Sequence, residues 1–389
     1  MTAKQRYDSL STDRTQFLSI ATQATRLTLP QLVREEEEHR GAKNLITPWQ
    51  SVGAKGVVTL ASKLMLALVP PNTSFFKLQL DDSVLQGEGF PPEARSELDL
   101  SFAKIERTIL ESIAASSDRV VIHQALKHLI VAGNVLIFMG KEGLKMYPLN
   151  RYVIDRDGNG NVIEIVTKER VNYKLIENQV PEEVLMRKQM TVVDDTRDKN
   201  QEECDIYTHI TRDNNRFIWH QEVHDYTLPA SKGKAPIEAS PWLPLRFNTV
   251  DGEVYGRGRV EEFMGDLKSL EALMQALVEG SAAAAKVVFT VSPSSTTKPQ
   301  TLANAGNGAI VQGRPDDIGV VQVGKTADFK TAFELASQLE RRLSEAFLIL
   351  NVRNSERTTA EEVRMTQMEL EQQLGGLFSL LTVEFLVPY

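Results

Sequence analysis

Between Arg257 and Lys286, apolar residues recur at Val260, Phe263, Met264, Leu267, Leu270, Leu273, Met274, Leu277 and Val278. Steps of three and four return them to one face of a helix. A helix over 257–286 would run about 45 Å at about 1.5 Å per residue. Its stripe is buried only against neighbours of comparable length, and two more long helical patterns follow, Ala327 to Leu350 and Thr359 to Val387. The chain is therefore expected to stand long helices side by side. Ala282, Ala283, Ala284 and Ala285 close the first helix with a small face, which would let a helix of a neighbouring subunit come close.

A core of this kind needs apolar residues, and 42% of the 389 positions supply them, enough for two or three domains. Forty-four basic residues against 52 acidic ones leave a formal charge of -8. That balance argues against a protein that coats nucleic acid, since such binders neutralise many phosphates with Lys and Arg. A single cysteine, Cys204, leaves no intramolecular disulfide and fits a reducing compartment. The N-terminus has no signal-peptide pattern. The longest apolar runs, Leu64 to Val69 and Val135 to Met139, are far shorter than a membrane span, so an intracellular site of synthesis is expected.

Along the chain, helices are expected from Ser11 to Leu29 with Pro30 as stop, from Trp49 to Val69, from Pro91 to Ser116 and from Val120 to Ala132. Glu35 to Glu38 reads as a solvated acidic run, or as a contact for a basic partner. Phe75 to Leu80 alternates like a short strand. Gly133 and Asn134 turn the fourth helix into a strand, Val135 to Met139. Further strands fall at Tyr152 to Ile154, Val162 to Val166, Ile206 to Thr211, Arg216 to Val223 and Leu243 to Phe247, with a charged surface excursion over 187–204. After the long helix, Val287 to Val291, Ala309 to Val311 and Val320 to Val323 read as a small β module at the tip of a helical hairpin. Thr359 and Glu362 form a capping box for the last helix, which Gly375 and Gly376 should kink. The fold class is α+β.

Chemistry is sparse. Asp155, Asp157, Asn159 and Gly160 occupy the first, third, fifth and sixth places of a calcium loop, but the twelfth is Val166, and strands flank it, so a hairpin turn is the better reading. His123 and His128 are five apart and do not share a helix face. His209, His220 and His224 lie in or beside strands, where structural roles outweigh a zinc site. Gly306, Gly308 and Gly313 are followed by no Gly-Lys-Ser/Thr. No metal motif, nucleophile elbow or nucleotide loop is found, so no enzyme activity and no cofactor are expected.

Several stretches together carry a specific likeness: Thr47-Pro-Trp-Gln-Ser-Val-Gly-Ala-Lys-Gly, Leu60-Ala-Ser-Lys-Leu-Met-Leu-Ala-Leu, Val131-Ala-Gly-Asn-Val-Leu, Tyr255-Gly-Arg, Gly265-Asp-Leu-Lys-Ser-Leu-Glu, Gly313-Arg-Pro-Asp-Asp-Ile, Ala327-Asp-Phe and Glu356-Arg-Thr-Thr-Ala-Glu-Glu-Val-Arg. In this order they resemble the head-to-tail connector, or portal protein, of short-tailed double-stranded DNA phages. The resemblance implies a homo-oligomeric ring of about twelve subunits at one capsid vertex, assembled in the host cytoplasm, with no membrane among its partners. Double-stranded DNA would enter through it, pumped by the terminase large subunit, and later leave. A tail adaptor and the major capsid and scaffolding proteins would be its other partners. A different ring component of the virion, such as a tail adaptor, is the alternative.

The resemblance also implies a division of the chain. Residues 1–255 would be a mixed α/β wing with its β-rich part over 144–250. Residues 256–286 and 327–350 would be stem helices, 287–326 the clip, 351–358 a tunnel loop and 359–389 a kinked wing helix, with the family's C-terminal crown absent. Ser292, Arg314, Asp316 and Asp317 fall in the clip, where motor and adaptor dock. Arg353, Asn354, Ser355, Glu356 and Arg357 fall in the tunnel loop facing DNA. A ring of about twelve copies at -8 each carries a charge near about -100, which repels phosphates and keeps friction low. Arg353 and Arg357 could then make transient phosphate contacts moderated by Glu356; exposed loop arginines or intersubunit ion pairs are the other readings.

Overall fold

The computed structural model describes residues 1–33, 45–70, 74–79, 92–176, 179–181, 203–284, 288–292, 298, 300, 304, 318–321, 326–349, 364–365, 368, 372 and 376–386. Among these residues the chain opens with helices α1 (Ala3–Arg26), α2 (Val52–Leu68), α3 (Pro92–Ala115) and α4 (Asp118–Ala132). Strands β1 (Asn134–Gly140), β2 (Gly143–Pro148), β3 (Tyr152–Arg156), β4 (Val162–Asn172), β5 (Glu203–Asp213), β6 (Arg216–Val223), β7 (Tyr226–Pro236) and β8 (Trp242–Arg246) follow. Then come α5 (Arg259–Glu262), α6 (Met264–Ala284), β9 (Val288–Val291), β10 (Ile318–Val321), α7 (Thr326–Ala346) and α8 (Leu377–Leu381), the last running into a π-helical turn, Thr382–Leu386. Mixed helix and sheet is thus the class.

Helix α1 begins eight residues earlier than its apolar spacing implies. Thr2 and Gln5 cap it reciprocally: the Gln5 N–H donates to Thr2 Oγ1 at 3.4 Å and the Thr2 N–H to Gln5 Oε1 at 3.2 Å. Residues 74–79 form no strand. The Leu78 N–H donates instead to the Glu106 carboxylate of α3 at 2.6 Å. The long helix expected over 257–286 is broken. Arg257 is held in an extended bridge to Asn248, so helix starts only at Arg259, and Phe263, at φ -110° and ψ 15°, interrupts it. Helix α6 then runs 21 residues, about 31 Å. Helix α7 stops at Ala346, four residues short of Leu350, because Leu348 takes a left-handed φ of 57°.

Among the described residues, the strands form three antiparallel sheets. The first has the order β2-β1-β8; the second is a five-stranded meander, β3-β4-β5-β6-β7; the third pairs β9 with β10. The β3–β4 turn is tied by Asp157, whose Oδ1 accepts the N–H groups of Asn159 at 2.9 Å and Asn161 at 2.8 Å. The carboxylate that could have bound calcium is thereby a turn former, and these hydrogen bonds, that from the Asn161 side chain foremost, hold its pKa below the usual value.

Helices α6 and α7 are antiparallel. Asp266 pairs with Arg342, Gly280 lies against Phe329, and beyond them Val291 faces Ile318 in the β9–β10 ladder. A Cβ on Gly280 would come within 2.5 Å of the Phe329 ring. The main core joins this hairpin to α2, α4, β1 and β8 through Leu60, Leu64, Leu129, Leu267, Leu343 and Phe347, all at most 1% exposed. About 25 cal/mol per Å² of buried apolar surface is the driving term for that union. A second cluster seats α1 on the two larger sheets through Ala21, Leu136, Tyr152 and Tyr255. Among the described residues, no helix is long and apolar enough to cross a membrane.

Candidate functional site

The motifs singled out by sequence meet where the sheets pass into the helical hairpin. Asn134, the first residue of β1, is 2% exposed. Its Nδ2 donates to the Gly256 carbonyl at 2.7 Å and to the Ala132 carbonyl at 3.0 Å, while the Gly256 N–H returns a 2.7 Å bond to Asn134 Oδ1. A side-chain amide thus pairs with a backbone peptide as one strand pairs with another.

Glycine is required on both sides of that pair. Gly133, in the left-handed region at φ 73°, ends α4, and its carbonyl accepts the Phe247 N–H at 2.9 Å. A Cβ there would lie 2.5 Å from the Arg257 carbonyl carbon and from the Gly258 nitrogen; one on Gly256 would lie 2.8 Å from the Gly133 oxygen. Two backbones are in contact with no side chain between them. Tyr255, 1% exposed, fixes the other side: its hydroxyl accepts the Ile154 N–H at 3.2 Å and its ring lies 5.3 Å from Phe17. Burial pushes the phenol up to about 12. Arg257 is clasped by Glu253 and Glu261, which raise its proton affinity further, and its guanidinium stands 5.1 Å from the Phe17 ring centre.

A second tie crosses to the middle of α6. Glu271 accepts the N–H groups of Trp49 at 2.9 Å and Gln50 at 3.2 Å. Gln50 in turn donates to the Leu27 carbonyl at 2.6 Å and accepts the Gly53 N–H at 2.8 Å. Gly53 and Gly56 let α2 approach: a Cβ on the first would meet the Leu27 oxygen at 2.6 Å, and on the second the Phe347 ring at 2.6 Å. A third tie fastens the far C-terminal segment. Glu384 accepts from the Arg246 backbone N–H at 2.9 Å, from Nε at 3.0 Å and from Nη2 at 2.7 Å. The first two ties fasten the start of the helical hairpin and the middle of α6 to the rest of the chain, and the third holds the C-terminal segment on β8.

Of the site residues read from sequence, Ser292 is exposed just past β9, and Ala282 is exposed near the end of α6, which continues through Ala283 to Ala284. Ala285, Arg314, Asp316, Asp317, and Arg353, Asn354, Ser355, Glu356 and Arg357 lie outside the described residues. His209 and His220 do meet, with ring centres 5.4 Å apart, but each faces a carboxylate: Glu164 at 2.6 Å and Glu222 at 3.0 Å. Glu164 also accepts from Arg6 at 2.7 Å and Glu222 from the Ala3 N–H at 2.6 Å. The pairs fasten the start of α1 to the meander. Cys204 is buried in a separate apolar cluster with Ile206 and Val223. Asn134 reads in sequence only as a turn residue, and Glu271 and Glu384 do not stand out. Their only sequence signal was membership of a motif or a lone acid in an apolar stretch.

His128 is 5% exposed in α4, and burial pushes its pKa down to about 4. The unfolded chain takes up this proton first, near the ordinary 6.5. Stability is therefore full above about pH 6.5, falls as pH drops, and levels off below about 4, with a total loss of about 3 kcal/mol. Denaturant midpoints measured across that window should fall more for the native chain than for His128→Leu; parallel curves would contradict the assignment.

A family model of bacteriophage head to tail connecting protein matches residues 1–389. The chain belongs to the bacteriophage head-to-tail connector family. The portal protein of Enterobacteria phage T3 is 38% identical over 99% of this chain and 72% of its own length, and that of Escherichia phage T7 is 37% identical over the same shares. The portal protein of Enterobacteria phage SP6 is 29% identical over 98% of this chain and 73% of its own. A chain in the virion of a native gene transfer agent particle is 9% identical, with a TM-score of 0.34 over 67% of this chain and 65% of that one, too distant to carry an argument. The connector role is thus the function of this chain, and the three ties described above are parts of a connector subunit.

Proposed function

We propose that this connector acts as a closed ring of about twelve copies at one capsid vertex of the virion, through which double-stranded DNA is packaged and later ejected. In this reading 1–255 is the wing, 256–286 and 327–350 the stem, 287–326 the clip, 351–358 the tunnel loop and 359–389 a kinked wing helix. The clip, with Ser292, Arg314, Asp316 and Asp317, receives the terminase large subunit and then the tail adaptor. The major capsid and scaffolding proteins meet the wing.

The observation that carries the ring is what the α6–α7 hairpin leaves uncovered. Phe333 is 64% exposed, Leu335 48% and Val278 46%. Phe333 and Leu335 are two residues apart, so they point about 200° apart around α7 at about 100° per residue. A dimer would cover one such face; a head-to-tail ring needs two different faces on each subunit. Ala282 to Ala284, small residues that end α6, would allow a neighbouring helix to lie close, and Ala285 continues the small run in the sequence.

The channel role rests on Arg353 and Arg357. Reversing both, Arg353→Glu with Arg357→Glu, is expected to slow packaging by a purified terminase or to let packaged DNA slip back, without changing ring formation. Unaltered packaging and retention would refute the contact.

A further inference from the structure

Helices α2 and α4 lie side by side and antiparallel: Ser62 Oγ is 3.3 Å from His123 Nε2, and seven residues on, the Val69 carbonyl at the end of α2 accepts from Arg119 at 2.7 Å. Their buried faces form the main core. The opposite face carries Lys55, Val58 and Ser62 on α2 and Val120, His123, Gln124 and Lys127 on α4. Lys55 and Ser62 are seven apart, and Arg119, His123 and Lys127 follow at intervals of four, so each set shares one helix face. Lys127 stands close enough to His123 to help burial lower the imidazole's pKa.

What sets this face apart is the sign of its charge. Helix α2 has no Asp or Glu at all, and α4 has only Asp118, which is 9% exposed and accepts the Leu144 N–H at 2.9 Å. In a chain with 52 acidic residues and a charge of -8, two paired helices present Lys55, Arg119 and Lys127 with no exposed carboxylate of their own. Lysines in an acid-free strip along a helix pair fit a polyanion whose charges are evenly spaced, because each phosphate neutralised releases a condensed counterion.

We propose that the outer face of α2 and α4 contacts the phosphate backbone of duplex DNA, an inference that rests on the conduit reading above. It is a second, weak, sequence-independent contact, separate from Arg353 and Arg357. The exposed Gln124 amide can donate to a phosphate oxygen beside the lysines, while the Ser62 hydroxyl is spent on the Val58 carbonyl at 2.9 Å.

The test is fluorescence anisotropy of the full chain with a labelled 30-base-pair duplex between about 50 and 200 mM salt. Lys55→Gln with Lys127→Gln should weaken binding about tenfold and flatten the log–log salt slope by about 1.8, the value for two lost phosphate contacts. Lys55 is exposed and Lys127 half-buried, and glutamine keeps most of the lysine stem, so circular dichroism should be unchanged. An unchanged affinity and slope would overturn the proposal, as would absence of duplex binding by the native chain. Polyglutamate competing as well as unlabelled duplex at equal charge would overturn the assignment to DNA and point to an acidic protein. None of these results bears on the conduit itself, which is judged by ring formation and by the Arg353 and Arg357 packaging assay.

Discussion

Gly133→Ala is expected to destabilise the chain by at least about 4 kcal/mol, and Gly252→Ala by only about 1 kcal/mol. Both glycines have positive φ, 73° and 80°. An alanine pays the same left-handed penalty at either place, about 1 to 2 kcal/mol. The difference lies in what surrounds the new methyl. At Gly252 nothing is within 4 Å, whereas at Gly133 the methyl would stand 2.5 Å from backbone atoms of Arg257 and Gly258. Backbone cannot rotate aside as a side chain can. Moving it breaks the paired hydrogen bonds of Asn134 with Gly256 and the Phe247 bond to the Gly133 carbonyl, each buried. A buried donor or acceptor left unmade costs about 1–3 kcal/mol. Denaturant midpoints of the two variants beside the native chain decide the matter. Equal losses would mean that the close approach at the joint is not tight.

Glu384→Ala is expected to be the next most damaging change, at about 3–5 kcal/mol. The Glu384 and Arg246 side chains are 14% and 13% exposed, so deleting the carboxylate leaves a guanidinium and a backbone N–H buried without their acceptor. The double variant Arg246→Met with Glu384→Leu should recover most of the loss, because no charge is then stranded. The Leu377–Leu386 segment hangs on this pair and on Leu381 and Phe385, 1% and 2% exposed. Limited proteolysis should accordingly cut Glu384→Ala within that segment much faster than the native chain. Equal cutting rates with equal stability would show that apolar packing alone holds it.

Much of this fold was legible because local rules agreed with tertiary packing. The apolar spacing gave α2, α4, α6 and α7, and Gly133 with Asn134 marked the passage from α4 to β1, while α1 ends at Arg26, three residues before the Leu29 expected from Pro30. Where local and tertiary demands conflicted, sequence reading failed in an informative way. Arg257 sits in a helical pattern, yet its bridge to Asn248 outweighs propensity and delays the helix to Arg259. Leu348 falls inside the helix expected over 327–350, but, 4% exposed in the core, it takes a left-handed turn that propensity disfavours. Strand β7 was missed because Pro229, Lys232, Gly233 and Lys234 read as loop. It is an edge strand, where proline and lysine are tolerated, and Gly233 makes room for the Trp219 ring that lies across it.

The site was legible as motifs and illegible as geometry. Val131 to Leu136 and Tyr255 to Arg257 were both conspicuous in the chain, but only the fold brings Asn134 to Gly256 across 122 positions. Trp49 and Glu271, 222 positions apart, meet in the same manner. Periodicity reports which face of an element is buried and says nothing about which other element covers it. For the same reason the exposure of Phe333 could not be foreseen: its place in the apolar pattern of α7 is that of a core residue, yet it stands 64% exposed.

The most direct test of the ring is mass photometry of the purified chain followed by electron microscopy, alone and with the major capsid and scaffolding proteins supplied. Closed rings of about twelve subunits, with the α6–α7 hairpins surrounding a central hole wide enough for a DNA duplex, are the expected result. A chain that stays monomeric under both conditions, or that forms open filaments in place of closed rings, would contradict it.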